Sequence, residues 1–441
     1  MRQSVIEVIG LQYGDEGKGK VSCFETTDAS LAIRATGGNN AGHTVVYKGT
    51  KYPLHLIPSG IVKQNAISIL APGMVIDPEV LIKEIEMLQS NGIEVSPANF
   101  MISDRAHVIM PYHKMMDKYQ ENHRENPIGT TKSGIGPAYS DKANRVGIRM
   151  YDILNRNVEA IERDLSFFPE EFFVDNKIDK QEFYQNMINL SFDYRLNLFS
   201  YITNVQLVIN DAIAHGQKVV LEGAQAWGLD LDHGDYPFCT SSSPNASGTA
   251  SASGIGPLNI FKVIGVMKAY TSRVGEGPFI TELEGLYGEV IRSYGHEYGT
   301  TSQRPRRCGW LDLVALKNAV FANSVSDLCI NHIDTIGRVG LQLGKIEVCT
   351  AYSYCDQFDP KVSSILDSCT VHPLYNEFKG WTIPENCHTF GDLPEEAKTY
   401  IRFIEDYLGT PVRYIGIGPR DEDMIIRTNS SGIIGPEDYM E

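Results

Sequence analysis

The sequence predicts an α/β protein: a single large domain over residues 1–441 with a central, mostly parallel sheet, a P-loop-like nucleotide site and helical insertions, the largest a helical subdomain at about 151–214. Three observations carry that prediction. Short apolar runs suited to buried strands alternate with helical stretches along the whole chain. Several of those runs lead into glycine-rich turns, which is where parallel sheets hold their ligands. No internal repeat and no low-complexity tail interrupts the alternation.

Composition narrows the function classes. At 441 residues the chain is long enough for a large core, and its make-up is ordinary for a soluble globular protein. A net charge of −16 and a pI near 5.2 speak against a general nucleic-acid surface, while leaving room for a local basic pocket around a small anion. No apolar stretch is long enough to span a bilayer, and the N-terminus lacks the apolar core of a signal peptide. The eight cysteines include no C-x-x-C pair and read as reduced thiols, so a cytoplasmic protein with neither membrane nor nucleic-acid partner is expected.

The first element is the apolar run Val5 to Ile9, read as a buried strand, which opens into Gly10 to Lys20, GLQYGDEGKGK. Glycine frees backbone N–H groups to cradle phosphate oxygens, and Lys18 and Lys20 supply charge. Gly14 to Lys20 fits the spacing G-x-x-x-x-G-K, but Val21 stands where a P-loop has a magnesium-binding Ser or Thr. Asp15 and Glu16, placed inside such a loop, make sense against a polyphosphate only as metal ligands or proton carriers. Leu31 to Ala35 is a second strand, followed by a second glycine loop, Thr36 to Thr44, with one titratable group, His43. A satisfied turn histidine is one reading of it. Two glycine loops so close together, each with a titratable group, fit two halves of one site better.

Asp77 and Pro78 begin a helix whose Leu81, Ile85 and Leu88 share a face and which Gly92 stops. Residues 128–147 read as a long polar loop, of the kind that is functional or disordered. From Tyr151 to Ala214 the pattern is helical and charged with interleaved aromatics, a subdomain packed on the sheet. Lys218 to Glu222 is a strand opening into Gly223-Ala224-Gln225, and the small polar run Ser241 to Gly256 reads as a loop pressed close to a ligand more than as a linker. Phe261 to Lys268 is another strand. In 299–310 the cluster Arg304, Arg306 and Arg307 is either a solvated basic turn or a fork for carboxylate and phosphate. A helix from Leu311 to about Ala322 leads into the strand Leu328 to Ile333, which ends at Asp334. That acid is placed either to accept hydrogen bonds from a guanine edge or to cap a helix. Glu395 to Leu408 is an amphipathic helix, Val412 to Ile415 a strand, and Gly416 to Pro419 a turn tight enough for a flat ring to lie on its backbone.

Taken together, GDEGKGK at 14–20, GGNNAGHTV at 37–45, GTTKSGIGPAY at 129–139, EGAQ at 222–225, DHGDYP at 232–237, RPRRCGWLD at 304–312 and GIGP at 416–419 resemble the adenylosuccinate synthetase family over nearly the whole chain. The resemblance implies a ligase of purine biosynthesis that joins IMP to L-aspartate with GTP and Mg2+ through a 6-phosphoryl intermediate. It implies Asp15, His43, Lys18 and Gln225 as catalytic residues. Gly17, Lys18, Gly19, Gly42, His43, Thr44, Arg306, Asp334, Gly416 and Gly418 would bind GTP. Asn40, Thr131, Gln225 and Thr240 would hold IMP, with Arg145 reaching it from the other subunit of a homodimer. Thr301, Ser302 and Arg304 would grip aspartate, and Asp15 and the carbonyl of Gly42 would hold the metal.

Four positions depart from the family's usual pattern: Ser22-Cys23 after the first lysines, Ala226 after EGAQ, Ser302-Gln303 before the arginines, and His332 two residues before Asp334. They keep two other readings open, the same chemistry on a guanylate-type purine or another amino acid, and a GTP-binding regulator without turnover. Asp15 and His43 weigh against the regulator, which needs neither a base nor an acid. A P-loop GTPase is weakened by Val21 and by the lack of a clear N-K-x-D motif.

Overall fold

The computed structural model describes residues 4–299, 304–354, 371–420 and 422–427. Its centre is a ten-stranded sheet. In chain order the strands are β1 Val5–Gly10, β2 Leu31–Arg34, β3 Ile67–Leu70, β4 Phe100–Ser103, β5 Ile202–Thr203, β6 Val219–Glu222, β7 Ile260–Lys268, β8 Asp327–Asn331, β9 Val412–Gly416 and β10 Met424–Ile426. Across the sheet they lie in the order β10-β9-β8-β7-β1-β6-β2-β3-β4-β5. All neighbours are parallel except β9 and β10.

All six residues of β1 are buried, which is why its sequence shows no alternation and is apolar apart from Glu7. Val8 pairs with Glu222 of β6 on one side and with Ile264 of β7 on the other. Because these strands share a direction, the loops after β1, β2, β6, β7, β8 and β9 all leave from one edge. The crevice beside β1, with β6 and β2 to one side and β7 to β9 to the other, is the ligand position of such sheets.

The helices are α1 Lys18–Glu25, α2 Pro78–Ser90, α3 Pro111–His123, α4 Ile135–Asn144, α5 Met150–Asn155, α6 Val158–Leu165, α7 Glu170–Asp175, α8 Lys180–Leu198, α9 Val205–Ala214, α10 Ala246–Ser253, α11 Gly285–Gly295, α12 Leu313–Ala322, α13 Ile333–Leu343 and α14 Glu395–Leu408. In α2 the Asp77 carboxylate accepts from the N–H groups of Glu79 and Val80, a cap contributing about 1 kcal/mol. In α14 the buried Ala397, Tyr400, Ile401, Ile404 and Leu408 recur at helical spacing, and Gly409 ends the helix in a left-handed conformation. One core cluster joins β4 to the helical subdomain through Phe100, Ile102, Phe172 and Leu198. A second packs Trp310, Leu316, Ile336 and Tyr400 against β7, β8 and β9.

Four expectations are corrected. The stretch 128–147 is not all loop, since α4 occupies Ile135–Asn144. Its apolar residues are too few to show a period, and polar bonds hold it in place: Asp141 to His113 Nε2 at 3.0 Å, and the Tyr139 hydroxyl to Gly73 O at 2.9 Å. Residues 241–256 contain α10, whose small side chains leave no amphipathic signal and whose N-terminus Asn245 caps through Gly248 N at 2.8 Å. Leu311 and Asp312 precede α12, pairing with Val348 and Cys349 as a strand, and Asp312 caps the helix. The strand before Asp334 stops at Asn331; His332 turns the chain with φ 65°, and Asp334 falls in the first turn of α13.

Cys23, Cys239, Cys308, Cys329, Cys349 and Cys387 are free thiols. Among the described residues no helix is long and apolar enough to cross a membrane.

Candidate active site

The loop after β1 turns on Gly14 and Gly17, with φ 107° and 88°, and ends in the N-terminus of α1, whose free N–H groups suit an anion. A Cβ at Gly17 would stand 2.8 Å from Asn331 Nδ2, and that amide donates to Glu16 O at 2.6 Å, so β8 shapes the loop. Both carboxylate oxygens of Glu16 are engaged inside the loop. Its Oε1 accepts from Gln12 N (3.1 Å) and Gly14 N (2.8 Å), and its Oε2 pairs with Lys18 Nζ at 2.8 Å, both side chains being buried. Glu16 is thus the loop's internal brace. Lys20 is also reassigned: its Nζ donates to Gly418 O (2.8 Å) and Asp423 O (3.1 Å), tying α1 to the turn after β9 instead of to phosphate. Val21 is buried in the core.

Asp15 lies beside β7. Its Oδ2 accepts from Ser272 Oγ (2.6 Å) and meets Lys268 Nζ (3.0 Å) and Arg306 Nη1 (3.2 Å), while its Oδ1 is buried without a partner. Burial pushes the carboxyl's pKa up, but the Lys268 and Arg306 charges and the Ser272 bond outweigh it and hold the group well below the usual carboxylate range. Glu297 completes the network, at 2.6 Å from Lys268 and 2.7 Å from Arg306.

His43 opens the hairpin His43–Tyr47 with Thr50–Leu54, and a Cβ on Gly19 of α1 would lie 3.2 Å from its Cβ, so the two glycine loops meet. Its Nδ1 is 2.5 Å from Glu222 Oε1 and 2.8 Å from Arg34 Nη1, and its Nε2 is buried without a partner. Burial and the Arg34 charge lower its pKa to about 4 against the pull of Glu222, so the ring is neutral near pH 7. Gly42 beside it is exposed, and Thr44 pairs with Pro53 across the hairpin.

On the β6 and β2 side, Gln225 adopts φ 54° and its Nε2 donates to Asn40 Oδ1 at 3.0 Å. Thr240 follows the turn built on Asp230, and its Oγ1 is buried without a partner. Ala226 places its methyl where a Cβ at Gly10 would come within 2.7 Å, so that departure faces Gly10. On the β8 and β9 side, Asp334 pairs with Arg338 at 2.9 Å and burial raises its carboxyl. At Gly416 and Gly418 a Cβ would sit 2.2 Å from Asn331 Oδ1 and 2.5 Å from Asp423 Oδ2, so those side chains would have to shift to admit one. His332 rests edge-on against Tyr270, and burial with the nearby Lys268 charge lowers it to about 4.

Not every expected residue converges. Thr131 and Arg145 are exposed, and among the described residues no hydrogen bond or ion pair joins either to Asn40, Gln225 or Thr240. Arg304 is exposed, and Thr301 and Ser302 lie outside the described residues. Lys268, Ser272, Glu297, Glu222 and Arg34 went unnoticed as site residues. The available signal was a charge at the end of an apolar run, as in Arg34, Glu222 and Lys268.

A separate buried group with metal-ligand chemistry, His113, Asp141 and Asp164, joins α3, α4 and α6. His113 Nδ1 accepts from Met110 N at 2.8 Å, so the ring proton is on Nε2, facing Asp141, and the Tyr112 hydroxyl bonds Asp164 at 2.6 Å. With that proton in the way, the group is a clamp on α4.

The family model for adenylosuccinate synthetase matches residues 7–425. The adenylosuccinate synthetase of Acetivibrio thermocellus is 46% identical over 427 residues, covering 95% of this chain and 98% of that protein. The fully ligated adenylosuccinate synthetase structure from Plasmodium falciparum superposes with a TM-score of 0.87 at 36% identity, covering 96% of this chain and 100% of that one. A cyanophage S-2L succinoaminodeoxyadenylate synthetase, bound to dGMP and dATP, shares the fold at a TM-score of 0.60 and 18% identity, over 97% of this chain and 96% of that one.

Proposed function

The chain belongs to the adenylosuccinate synthetase family, and on that ground we propose that it joins IMP to L-aspartate with GTP as phosphoryl donor, giving adenylosuccinate, GDP and phosphate in purine biosynthesis. The observation that carries this reading is a set of buried polar atoms without protein partners: Asp15 Oδ1, His43 Nε2, Thr240 Oγ1 and Arg306 Nε. Buried polar atoms are almost always paired, and these four belong to residues the reaction would use.

Gly17, Lys18, Gly19 and the N-terminus of α1 hold the GTP phosphates, with Thr44 and Arg306 nearby, and Asp334 with the Gly416 to Gly418 turn takes the guanine edge. Asn40, Gln225, Thr131 and Thr240 hold IMP on the other side of β1, helped by Arg145 from the second subunit of a homodimer. Arg304, with Thr301 and Ser302, grips the carboxylates of aspartate. Magnesium fits this donor set, since the unpartnered oxygen of Asp15 and the carbonyl of Gly42 are hard oxygen ligands, and its charge would offset that of the polyphosphate.

In the first step the purine 6-oxygen attacks the γ-phosphorus, Asp15 takes the N1 proton, and the bridging oxygen departs with GDP. A carboxylate held as acidic as Asp15 is a weak base, so proton transfer accompanies O–P bond formation, which makes N1–H more acidic. His43 Nε2 faces the departing oxygen, and Lys18 with the loop N–H groups stabilises the charge spreading over the phosphoryl group. In the second step the amine of aspartate adds to carbon 6 and phosphate leaves, a far better leaving group than oxide.

Purified protein with IMP, L-aspartate, Mg2+ and GTP should form adenylosuccinate and GDP in equal amounts, followed by absorbance and by GDP release. GDP alone would refute the choice of amino acid, and neither product would refute the reading. The enzyme is assigned to the cytoplasm as a homodimer, whose sedimentation should give twice the 49.0 kDa chain mass.

A further inference from the structure

We propose that His55 is a positioning residue for the glycine loop that ends in Gly42, His43 and Thr44: its ring N–H holds the Ala41 carbonyl, and Glu84 of α2 holds the backbone on which that ring is mounted. The inference rests on the reading that those three residues face the GTP phosphates.

His43 and Leu54 are the first register pair of the hairpin, so Ala41 and His55 lie at its open end. His55 Nδ1 is 3.1 Å from Ala41 O, and a carbonyl only accepts, so Nδ1 carries the hydrogen. The backbone of His55 is held on both sides. Its N–H donates to Glu84 Oε2 at 3.1 Å, and its C=O accepts from Arg34 Nη2 at 3.5 Å. Glu84 also takes the N–H groups of Leu56, at 3.1 Å, and Ile57, at 2.9 Å. One buried carboxylate on α2 thus anchors three consecutive N–H groups, and the Leu56 and Ile57 side chains are buried in the core beside it.

Thr36 to Thr44 carries glycine at positions 37, 38 and 42, and a chain of that composition does not fix its own path. A trans peptide is planar with C=O and N–H on opposite sides, so holding Ala41 O against His55 also sets the direction of the Gly42 N–H and the start of His43. The clamp has a rigid source. Helix α2 is capped by Asp77 and packs Leu81, Ile85 and Leu88 into the core. Satisfying the N–H groups of residues 55 to 57 accounts for Glu84 alone; it does not require the His55 ring to reach Ala41, fourteen residues earlier in the chain. Burial raises the Glu84 carboxyl to about 7 against the pull of those N–H groups, so near pH 8 it is ionised in most molecules and accepts from all three.

The test is His55→Phe in the full chain beside His55→Asn, whose amide N–H2 falls near the place of the ring Nδ1–H. At about pH 8, where Glu84 accepts, GTP binding with Mg2+ is titrated by intrinsic fluorescence and the KM values for GTP and IMP come from initial rates. Phe keeps a ring and loses the donor, so GTP should bind about tenfold more weakly, the effect of one lost hydrogen bond, with KM for IMP within about threefold of wild type. His55→Asn should bring GTP binding back to within about threefold of wild type. Glu84→Gln, which turns an N–H2 toward backbone N–H groups, should repeat the pattern of His55→Phe, and wild-type GTP binding in it overturns the part given to Glu84. The proposal is overturned by wild-type GTP binding in His55→Phe, by equal losses for GTP and IMP, or by a His55→Asn no better than His55→Phe. Should His55→Phe fail to fold, His55→Ala, which only removes atoms, replaces it with the same expectations. Wild-type protein that binds no GTP would overturn the functional reading and this inference with it, whereas normal GTP binding by both wild type and His55→Phe overturns this inference alone.

Discussion

Glu7 offers a stability test whose sign is set by the structure. It sits in the middle of β1, 0% exposed, facing Thr249 of α10, with its Oε2 unpartnered. Burial, only partly offset by the Thr249 bond, raises its pKa from 4.5 to about 8. In the unfolded chain Glu7 ionises near 4.5 and in the folded chain near 8, so between those values unfolding releases a proton and stability falls as pH rises. At about 1.4 kcal/mol per pH unit, the folded state forgoes up to about 4 kcal/mol by about pH 7.5. Glu7→Gln keeps the shape and an oxygen to accept from the Thr249 hydroxyl, and has no proton to lose. In urea unfolding it should match wild type near pH 4.5 and exceed it by about 2–4 kcal/mol near pH 7.5. A variant no more stable than wild type near pH 7.5, or a gap that does not change with pH, would refute a neutral Glu7.

Three further outcomes are expected. Asp15→Ala should lower kcat by at least about 10³ while GTP still binds, as titration by intrinsic fluorescence would show; normal turnover would exclude Asp15 as the base. Gly17→Ala forces a side chain into φ 88° and against Asn331 Nδ2 at 2.8 Å, so a loss of about 2 kcal/mol or more in stability or GTP binding is expected from thermal shift with and without GTP. Lys20→Ala removes the bonds to Gly418 O and Asp423 O, and should raise KM for GTP by about tenfold with KM for IMP nearly unchanged; equal effects on both would mean that Lys20 braces the whole site.

The chain's own order of residues determined its fold class, the strands β1, β2, β6, β7 and β9, the helices α2 and α14, and the identity of Asp15 and His43 as a candidate pair. These are local signals: apolar runs bounded by glycine, a capping Asp before Pro, and reactive side chains inside glycine loops. Helices α4 and α10 were not legible because polar contacts with distant residues hold them, Asp141 with His113 in one case and the Asn245 cap in a run of small residues in the other. The same limit hid the division of labour among charges. Glu16 beside Asp15, and Lys20 beside Lys18, are indistinguishable by spacing, yet one acid braces the loop and one lysine ties down a turn nearly 400 residues away. Only the sheet order, with β1 between β6 and β7, brings Gln225 and Asn40 to one side of Asp15 and Asp334 and Gly418 to the other. Strand pairing depends on burial summed over the whole chain, and that sum decides which buried charge finds a partner and which is left for a ligand.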